Sequence, residues 1–136
     1  MRIIVDTNKF LSALISSNGQ TSQFFFSSEH NLVSPHFVLV ELFKHKEKII
    51  SAAKKTEPEV LSLLHNLLSE VTFINEKNIS LASRQKAFDL CIDVDPNDLA
   101  FVALSIELDA PLWTGDKKLI AGLKGKGFDN FFTDFI

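Results

Sequence analysis

The sequence predicts an α/β fold, namely a three-layer α/β/α sandwich with a mostly parallel central sheet. Short segments rich in β-branched and aromatic residues alternate with longer segments whose apolar residues recur at helical spacing. Strands separated by helices are typical of parallel sheets covered on both faces. The 136 residues suffice for one hydrophobic core, and no linker, repeat or low-complexity segment divides them. We therefore expect residues 1–136 to form a single domain.

The first elements are marked by an apolar run and by the turn residues that follow it. Residues 3–5 (Ile-Ile-Val) predict a buried central strand, and residues 6–8 (Asp-Thr-Asn) predict a turn into a helix over about residues 9–16. Gly19 interrupts the helical pattern and is expected to end this first unit.

The next helix is short and carries three successive phenylalanines. Thr21 or Ser22 can cap a helix that extends through residues 24–26. Because a helix cannot bury three successive side chains on one face, we expect part of this helix to offer a surface to another subunit. Residues 31–34 predict the second strand.

Two prolines help to place the helices in the middle of the chain. Pro35 suits the first turn of a helix that reaches about residue 48, and Pro58 lies near the start of an amphipathic helix over residues 57–69. Residues 71–74 (Val-Thr-Phe-Ile) predict the third strand. The rest of the chain predicts helices at residues 79–90, 96–108 and 117–123, a strand at 111–114, and a last strand in the aromatic tail at 131–135.

The composition indicates a soluble, cytoplasmic protein without a membrane partner. No segment approaches the roughly 20 apolar residues of a membrane span, and the N-terminus reaches the charged Asp6 too early for a signal peptide. The single cysteine, Cys91, cannot form an internal disulfide and is expected to be a small buried side chain. The net charge of −3 argues against a broad electrostatic grip on nucleic acid, although lysines cluster locally.

Four carboxylates fall where predicted strands end or helices begin: Asp6, Glu41, Asp98 and Asp116. The ends of strands in an alternating α/β chain gather along one edge of the sheet, so these side chains can meet in one crevice. Buried acids are costly unless positive charge compensates them, and an oxygen-rich pocket suits Mg²⁺ or Mn²⁺. Each acid also has a local explanation, since Asp6 and Asp116 can cap helices.

Local patterns leave the roles of the other two acids open. In the Asp-Pro-Asn-Asp segment at residues 95–98, Asp95 can be an N-cap and Asp98 can reach back in a capping box. Glu41 lies near the apolar boundary of its helix, where a half-buried glutamate needs a partner. His45, one helical turn further along, is a candidate for that partner.

Four motifs follow one another along nearly the whole chain. They are Ile-Ile-Val-Asp-Thr-Asn at residues 3–8, Val-Glu-Leu at 40–42, Asp-Pro-Asn-Asp-Leu-Ala-Phe at 95–101 and Leu-Trp-Thr-Gly-Asp-Lys-Lys-Leu at 112–119. Together and in this order they resemble the PIN domain family. PIN domains are metal-dependent ribonucleases with a parallel sheet flanked by helices, and many are toxins of toxin-antitoxin pairs.

The resemblance implies an endoribonuclease with an acidic quartet that binds Mg²⁺ or Mn²⁺. Two such ions, roughly 3.5 to 4 Å apart, can activate water and neutralise charge on the reacting oxygens. Cleavage is expected to leave a 5′-phosphate, and the expected partners are RNA, an antitoxin protein and a second copy of this chain. The implied catalytic and metal-binding residues are Asp6, Glu41, Asp98 and Asp116, with Asp95 in reserve for Asp98 and with Asn8 and Thr114 as supporting groups.

Other classes of function share some of these features. A PIN-like module that binds RNA or protein with weak or no catalysis would have the same fold. A phosphoacceptor receiver domain needs further acids at the first strand, and a haloacid-dehalogenase-like phosphatase needs a second aspartate two residues after Asp6, where this chain has Asn8. Zinc hydrolysis is disfavoured because the four histidines lack paired ligand spacing. They are His30, His36, His45 and His65.

Overall fold

The computed structural model describes residues 1–133. Its strands are β1 (Arg2–Val5), β2 (Asn31–Pro35), β3 (Val71–Ile74) and β4 (Leu112–Trp113). Its α-helices are α1 (Thr7–Ile15), α2 (Gln20–Ser27), α3 (Phe37–Lys44), α4 (Lys46–Ala53), α5 (Glu57–Leu68), α6 (Leu81–Cys91), α7 (Leu99–Leu108) and α8 (Lys117–Gly125). Short 3₁₀ turns occupy Glu76–Asn78 and Pro96–Asp98.

The four strands form one parallel sheet in the order β3-β2-β1-β4, with helices on both faces. Helix α7 packs against β1, β2 and β4, and α6 packs on α7. Helix α1 packs with α2, α3, α4 and α5. Ile3, Ile4 and Val5 are fully buried, as a central parallel strand requires. The predicted three-layer α/β/α sandwich is confirmed.

An aromatic cluster holds the end of β4 against the first two helices. The Trp113 ring is fully buried and packs against Phe24 and Phe25, with ring centroids 4.7 and 5.6 Å away. Phe25 also packs on Phe10 at 5.1 Å. Phe26 remains 45% exposed, because three successive helical residues cannot share one buried face.

The segment after β2 differs from the single helix predicted over residues 35–48. Pro35 is the last residue of β2 rather than part of a helix. Strand β1 pairs with β2 only as far as Val33, so the missing N–H of Pro35 costs no hydrogen bond to β1. The helical region is then divided at His45, whose φ of −100° and ψ of 11° end α3 before α4 begins.

The start of α2 also differs from its prediction. The helix begins at Gln20 with Gly19 as its N-cap, so neither Thr21 nor Ser22 caps it. Gly19 has the extended backbone of an N-cap, and glycine is among the residues accepted there. The helix predicted over residues 96–108 likewise opens as a 3₁₀ turn before α7.

The aromatic tail contributes less to the sheet than predicted. Among the described residues, Phe131 makes a single parallel bridge to Leu112, and no longer strand forms there. Residues 134 and 135 of the predicted last strand lie outside the described residues. The other predicted elements agree closely with those of the structure.

Two expectations drawn from the composition are tested by burial and helix length. Cys91 is 1% exposed, which confirms the prediction of a small buried side chain. Over residues 1–133, no helix combines the length and apolar character needed to cross a lipid bilayer.

Candidate active site

The parallel pairing of β1 with β4 places two polar side chains next to each other. Val5 lies opposite Trp113, and the Asp6 N–H donates to the Trp113 carbonyl at 3.0 Å. Both strands end at this point, so Asp6 and Thr114 emerge at the same edge of the sheet. They are buried to 3% and 8% exposure.

Asp6 accepts hydrogen bonds on both carboxylate oxygens. Its Oδ1 accepts from the Thr7 N–H at 2.7 Å, as the N-cap of α1. Its Oδ2 accepts from the Thr114 hydroxyl at 2.7 Å and from the Asn8 amide at 3.1 Å. Asp6 is therefore a helix cap, as the local pattern allowed. It also accepts two further hydrogen bonds, from Thr114 and Asn8, that have no part in capping the helix.

The surrounding groups fix the direction of these hydrogen bonds. The Gly115 N–H donates to Asn8 Oδ1 at 2.9 Å, so the Asn8 NH₂ group must face Asp6 and Thr114. The Thr114 oxygen accepts from that NH₂ group at 3.0 Å and from the Asp116 N–H at 3.1 Å. With both acceptor positions used, the Thr114 hydroxyl proton is directed to Asp6.

Glu41 reaches the same region from α3, where it is half-buried. Its Oε1 accepts from the Thr7 hydroxyl at 2.5 Å. In the described part of the chain, no hydrogen bond or ion pair joins the side chains of Glu41 and His45. The prediction that His45 is the partner of Glu41 is therefore wrong, and the partner is Thr7. Thr7 thus connects the two acids, because its N–H donates to Asp6 and its hydroxyl donates to Glu41.

The position of α3 depends on a residue that the sequence reasoning did not identify. The N-cap residue of α3, His36, makes no side-chain capping bond to any of residues 1–133. Instead the Glu76 carboxylate accepts from the N–H groups of His36 and Phe37, at 3.0 and 3.1 Å. A carboxylate is stabilising at a helix N-terminus, and this one fixes the helix that carries Glu41.

A second group of acids surrounds the start of α7. Carboxylate oxygens of Asp95, Asp98 and Asp116 lie within 4.8 Å of one another. Asp98 Oδ2 is buried and has no hydrogen-bond partner among residues 1–133. Buried polar atoms are nearly always satisfied, so an unsatisfied carboxylate oxygen on a residue that lies beside two other acids is a candidate metal ligand.

The capping explanations considered above hold for two of these three acids. Asp95 accepts from the Asn97 N–H at 3.0 Å, and Asp116 accepts from the Leu119 N–H at 3.1 Å as the N-cap of α8. Asp98 makes no side-chain capping bond within the part of the chain that the structure describes. Its position therefore lacks the local explanation that the sequence offered for it.

The electrostatics agree with crowding of negative charge. Burial, and next the charge of Asp6, raise the pKa of Asp98 from 3.8 to about 8, with Asp95, Asp116 and Glu41 adding to the shift. Burial raises the pKa of Asp6 to about 6, although the Thr114 and Thr7 hydrogen bonds oppose this change. Glu41 and Asp116 thus lie close enough for their charges to raise the pKa values of Asp6 and Asp98. A divalent cation would reverse this repulsion.

An open polar depression of about 460 Å³ adjoins this cluster. It is lined by Asn8, Lys9, Ser12, Gly115 and Asp116. Sequence reasoning missed Lys9, although it follows the Asp-Thr-Asn motif directly, and it missed the hydroxyl of Thr7 in that motif. In the described residues, the group whose ligand atoms could share an ion consists of Asp95, Asp98 and Asp116.

Comparisons with known proteins agree with this architecture. A family model described as PIN domain matches residues 4–135. An uncharacterised protein of Methanocaldococcus jannaschii, MJ1680, is 30% identical over 125 residues, which is 89% of this chain and 74% of that protein. A crystal structure of VapBC2 from Rickettsia felis, bound to a DNA fragment from their promoter, has a TM-score of 0.66, 19% identity and 96% coverage of both chains. A crystal structure of PAE2754 from Pyrobaculum aerophilum has a TM-score of 0.65 and 16% identity, covering 92% of this chain and 81% of that one.

Proposed function

The chain belongs to the PIN domain family, a family of nucleases, and from that membership we propose that it is a metal-dependent endoribonuclease. The substrate is RNA and the reaction is hydrolysis of a phosphodiester bond at the acidic cluster. The observation that carries the proposal is at Asp98, whose Oδ2 is buried without a hydrogen-bond partner in residues 1–133 and whose carboxylate lies beside those of Asp95 and Asp116. Such an oxygen is unfavourable in an isolated fold and suited to a cation.

The proposed ligands are the four predicted acids, which bind Mg²⁺ or Mn²⁺ and hold two ions when RNA is bound. Carboxylate oxygens are the ligands that these hard cations prefer. Bound ions would supply an activated water and stabilise negative charge on the reacting oxygens. The proposed catalytic and metal-binding residues are Asp6, Glu41, Asp98 and Asp116, with Asp95 in reserve.

The chain's own residues would orient these ligands before any ion binds. Thr114 and Asn8 hold Asp6 Oδ2 by hydrogen bonds of 2.7 and 3.1 Å. Thr7 holds Glu41 in the same way. Residues that fix metal ligands in this manner typically change metal affinity by about 10- to 100-fold when they are lost. Asn8 and Thr114 therefore have supporting roles in the proposal.

The test is cleavage of an end-labelled single-stranded RNA with Mn²⁺ or Mg²⁺, with and without a chelator. Asp6→Asn should abolish cleavage. Asp109→Asn is the matched control, because Asp109 is exposed with φ of 48°, a conformation that asparagine also tolerates. Cleavage that survives both the chelator and Asp6→Asn would overturn the proposal. RNA retention without metal or turnover would instead indicate a catalytically inactive RNA-binding module.

We further propose that the protein is the toxin of a toxin-antitoxin pair and acts in the cytoplasm. The similarity to the VapBC2 structure of R. felis supports this role. Expression should arrest growth, and coexpression of a short protein encoded by the neighbouring reading frame should relieve the arrest. Growth arrest by Asp6→Asn equal to that of the wild type would argue against a nuclease toxin.

A homodimer is proposed as well, because several large apolar side chains are exposed on the helices. Phe43 is 79% exposed on α3, and Leu39 and Leu61 are 41% and 48% exposed nearby. These three border an apolar groove of about 160 Å³. Exposed apolar surface of this kind often marks a protein interface. Sedimentation of the purified chain should give the mass of two copies, and a mass of one copy would refute the dimer.

A further inference from the structure

We propose that Lys9 binds a phosphate group of the RNA beside the acidic cluster, an inference that rests on the proposed nuclease function. Lys9 is the third residue of α1 and follows Asn8, which bonds to Asp6. Its side chain lines the open depression together with Gly115 and Asp116. A Cβ atom added at Gly115 would lie 3.9 Å from the Lys9 ammonium, which places that charge next to the β4–α8 turn.

The Lys9 ammonium is held in place by an aromatic ring instead of a carboxylate. Its Nζ atom lies 5.0 Å from the centre of the Trp113 ring, within the range of cation–π interactions. In the part of the chain that the structure describes, no carboxylate oxygen lies within 4.0 Å of it. Within residues 1–133 the charge is therefore positioned without an ion pair, although Asp116 lines the same depression.

An acidic site that acts on RNA needs such a cation. Free carboxylates repel the phosphates of an approaching strand, and bound metal ions compensate only the phosphate that they contact. A fixed ammonium at the rim of the cluster attracts the adjacent phosphate and sets the register of the strand. Lys117 and Lys118 follow on α8, where they are exposed to solvent. Of these three lysines, Lys9 is the one that lines the depression.

The alternative is that Lys9 only stabilises the fold through its contact with Trp113. This role predicts a lower melting temperature for Lys9→Met and no specific change in RNA binding. The phosphate role predicts weaker binding and a smaller salt dependence, both restored in Lys9→Arg. The matched control is Lys86→Met, which removes an exposed lysine of α6 outside the depression.

The experiment measures fluorescence anisotropy of a labelled single-stranded RNA, with calcium in place of the catalytic ions and a gel to show that the RNA stays intact. Lys9→Met should raise Kd about tenfold, the effect of losing one charge-assisted contact. The slope of log Kd against log salt should fall by about 0.7, as expected for one phosphate contact on a single strand. In cleavage assays the loss should appear mainly in KM.

The outcomes separate this inference from the proposed function. If Lys9→Met matches Lys86→Met in Kd and in salt slope, the Lys9 inference is overturned and the nuclease proposal is unaffected. If the wild-type protein binds RNA but does not cleave it with Mn²⁺ or Mg²⁺, the nuclease proposal fails, and the binding comparison still decides the role of Lys9. If the wild-type protein does not bind RNA, both are overturned.

Discussion

The hydroxyl of Thr114 donates a 2.7 Å hydrogen bond to Oδ2 of Asp6, a residue 108 positions away in the sequence. Parallel pairing of β1 with β4 produces this contact, because both strands end at the same level of the sheet. The bond favours the ionised carboxylate and opposes the burial that raises the pKa of Asp6 to about 6. The fold thus determines how readily Asp6 can give up its proton, as the proposed role of metal ligand requires.

Thr114→Val should weaken metal binding. Without the hydroxyl, the pKa of Asp6 rises further, and a protonated carboxyl group is a poor ligand. We expect the Kd for Mn²⁺, measured by calorimetry, to increase by about 10- to 100-fold. The increase in Kd should be larger at about pH 6 than at about pH 8. At about pH 8, Asp6 is mostly ionised in the wild type and in Thr114→Val alike.

The control for this change is Thr72→Val, since Thr72 is exposed on β3 away from the acidic cluster. Equal Mn²⁺ affinity in the two valine variants would mean that the Thr114 hydroxyl contributes only to the fold.

The metal-free protein should lose stability as the pH rises from about 4 to about 8 because of Asp6 and Asp98. Their pKa values in the folded state are about 6 and about 8, above the ordinary value of 3.8. Between these limits the folded state keeps protons that the unfolded chain has released, so increasing pH favours unfolding. Below about pH 4 both states are protonated and the loss disappears.

Urea unfolding in the presence of a chelator measures this effect. Other groups also titrate, so the informative quantity is the difference in unfolding free energy between the wild type and Asp98→Asn. That difference should grow steadily in favour of Asp98→Asn up to about pH 8 and then remain constant. A difference that does not depend on pH would contradict the raised pKa of Asp98.

Local sequence signals sufficed for much of the fold. The β-branched runs at β1 and β3 predict strands because they suit a buried pleated surface. The break at His45 was missed because no proline or glycine marks it, and Pro35 was assigned to a helix because proline is common in a first helical turn. The place of Pro35 in β2 depends on how far β1 extends beside β2, a tertiary property that local sequence does not encode.

The candidate site was predictable at the level of elements but not of contacts. Topology brings together strand ends, and this alone places Asp6 beside the turn that carries Asp116. The bonds from Thr7 to Glu41 and from Glu76 to the start of α3 join residues 34 to 40 positions apart. No helical or strand periodicity relates such positions, so the structure was needed to identify these pairs.

Glu76→Ala should lower stability and weaken metal binding together. Loss of the carboxylate takes away the acceptor of the Phe37 N–H and removes a favourable charge from the N-terminus of α3, while the His36 N–H keeps its bond to the Ile74 carbonyl at 3.2 Å. We expect a cost of about 1 to 2 kcal/mol in unfolding free energy. Because α3 carries Glu41, the Kd for Mn²⁺ should also increase by a few-fold, roughly at the low end of effects on metal-orienting residues.

Glu70→Ala is the matched control, because Glu70 is exposed after α5 and its side chain caps no helix. A stability loss in Glu76→Ala without any change in Mn²⁺ affinity would show that the position of Glu41 does not depend on this cap.

Asp98 and Asp95 can be distinguished by their asparagine variants. Asp98 Oδ2 is unpartnered within residues 1–133, so Asp98→Asn replaces charge repulsion by an amide that can donate to neighbouring carboxylates. Asp98→Asn should therefore raise the melting temperature without metal, by about 4 °C for each kcal/mol gained in unfolding free energy. It should also abolish the further rise in melting temperature on adding Mn²⁺. Asp95→Asn keeps the oxygen that accepts from the Asn97 N–H and should retain that rise.

RNA cleavage distinguishes the same two variants. The cleavage rate of Asp98→Asn should fall by more than the roughly 100-fold typical of residues that only orient a metal ligand, and the rate of Asp95→Asn should fall by less. The opposite order would assign the metal to Asp95 and leave Asp98 as a buried, protonated side chain.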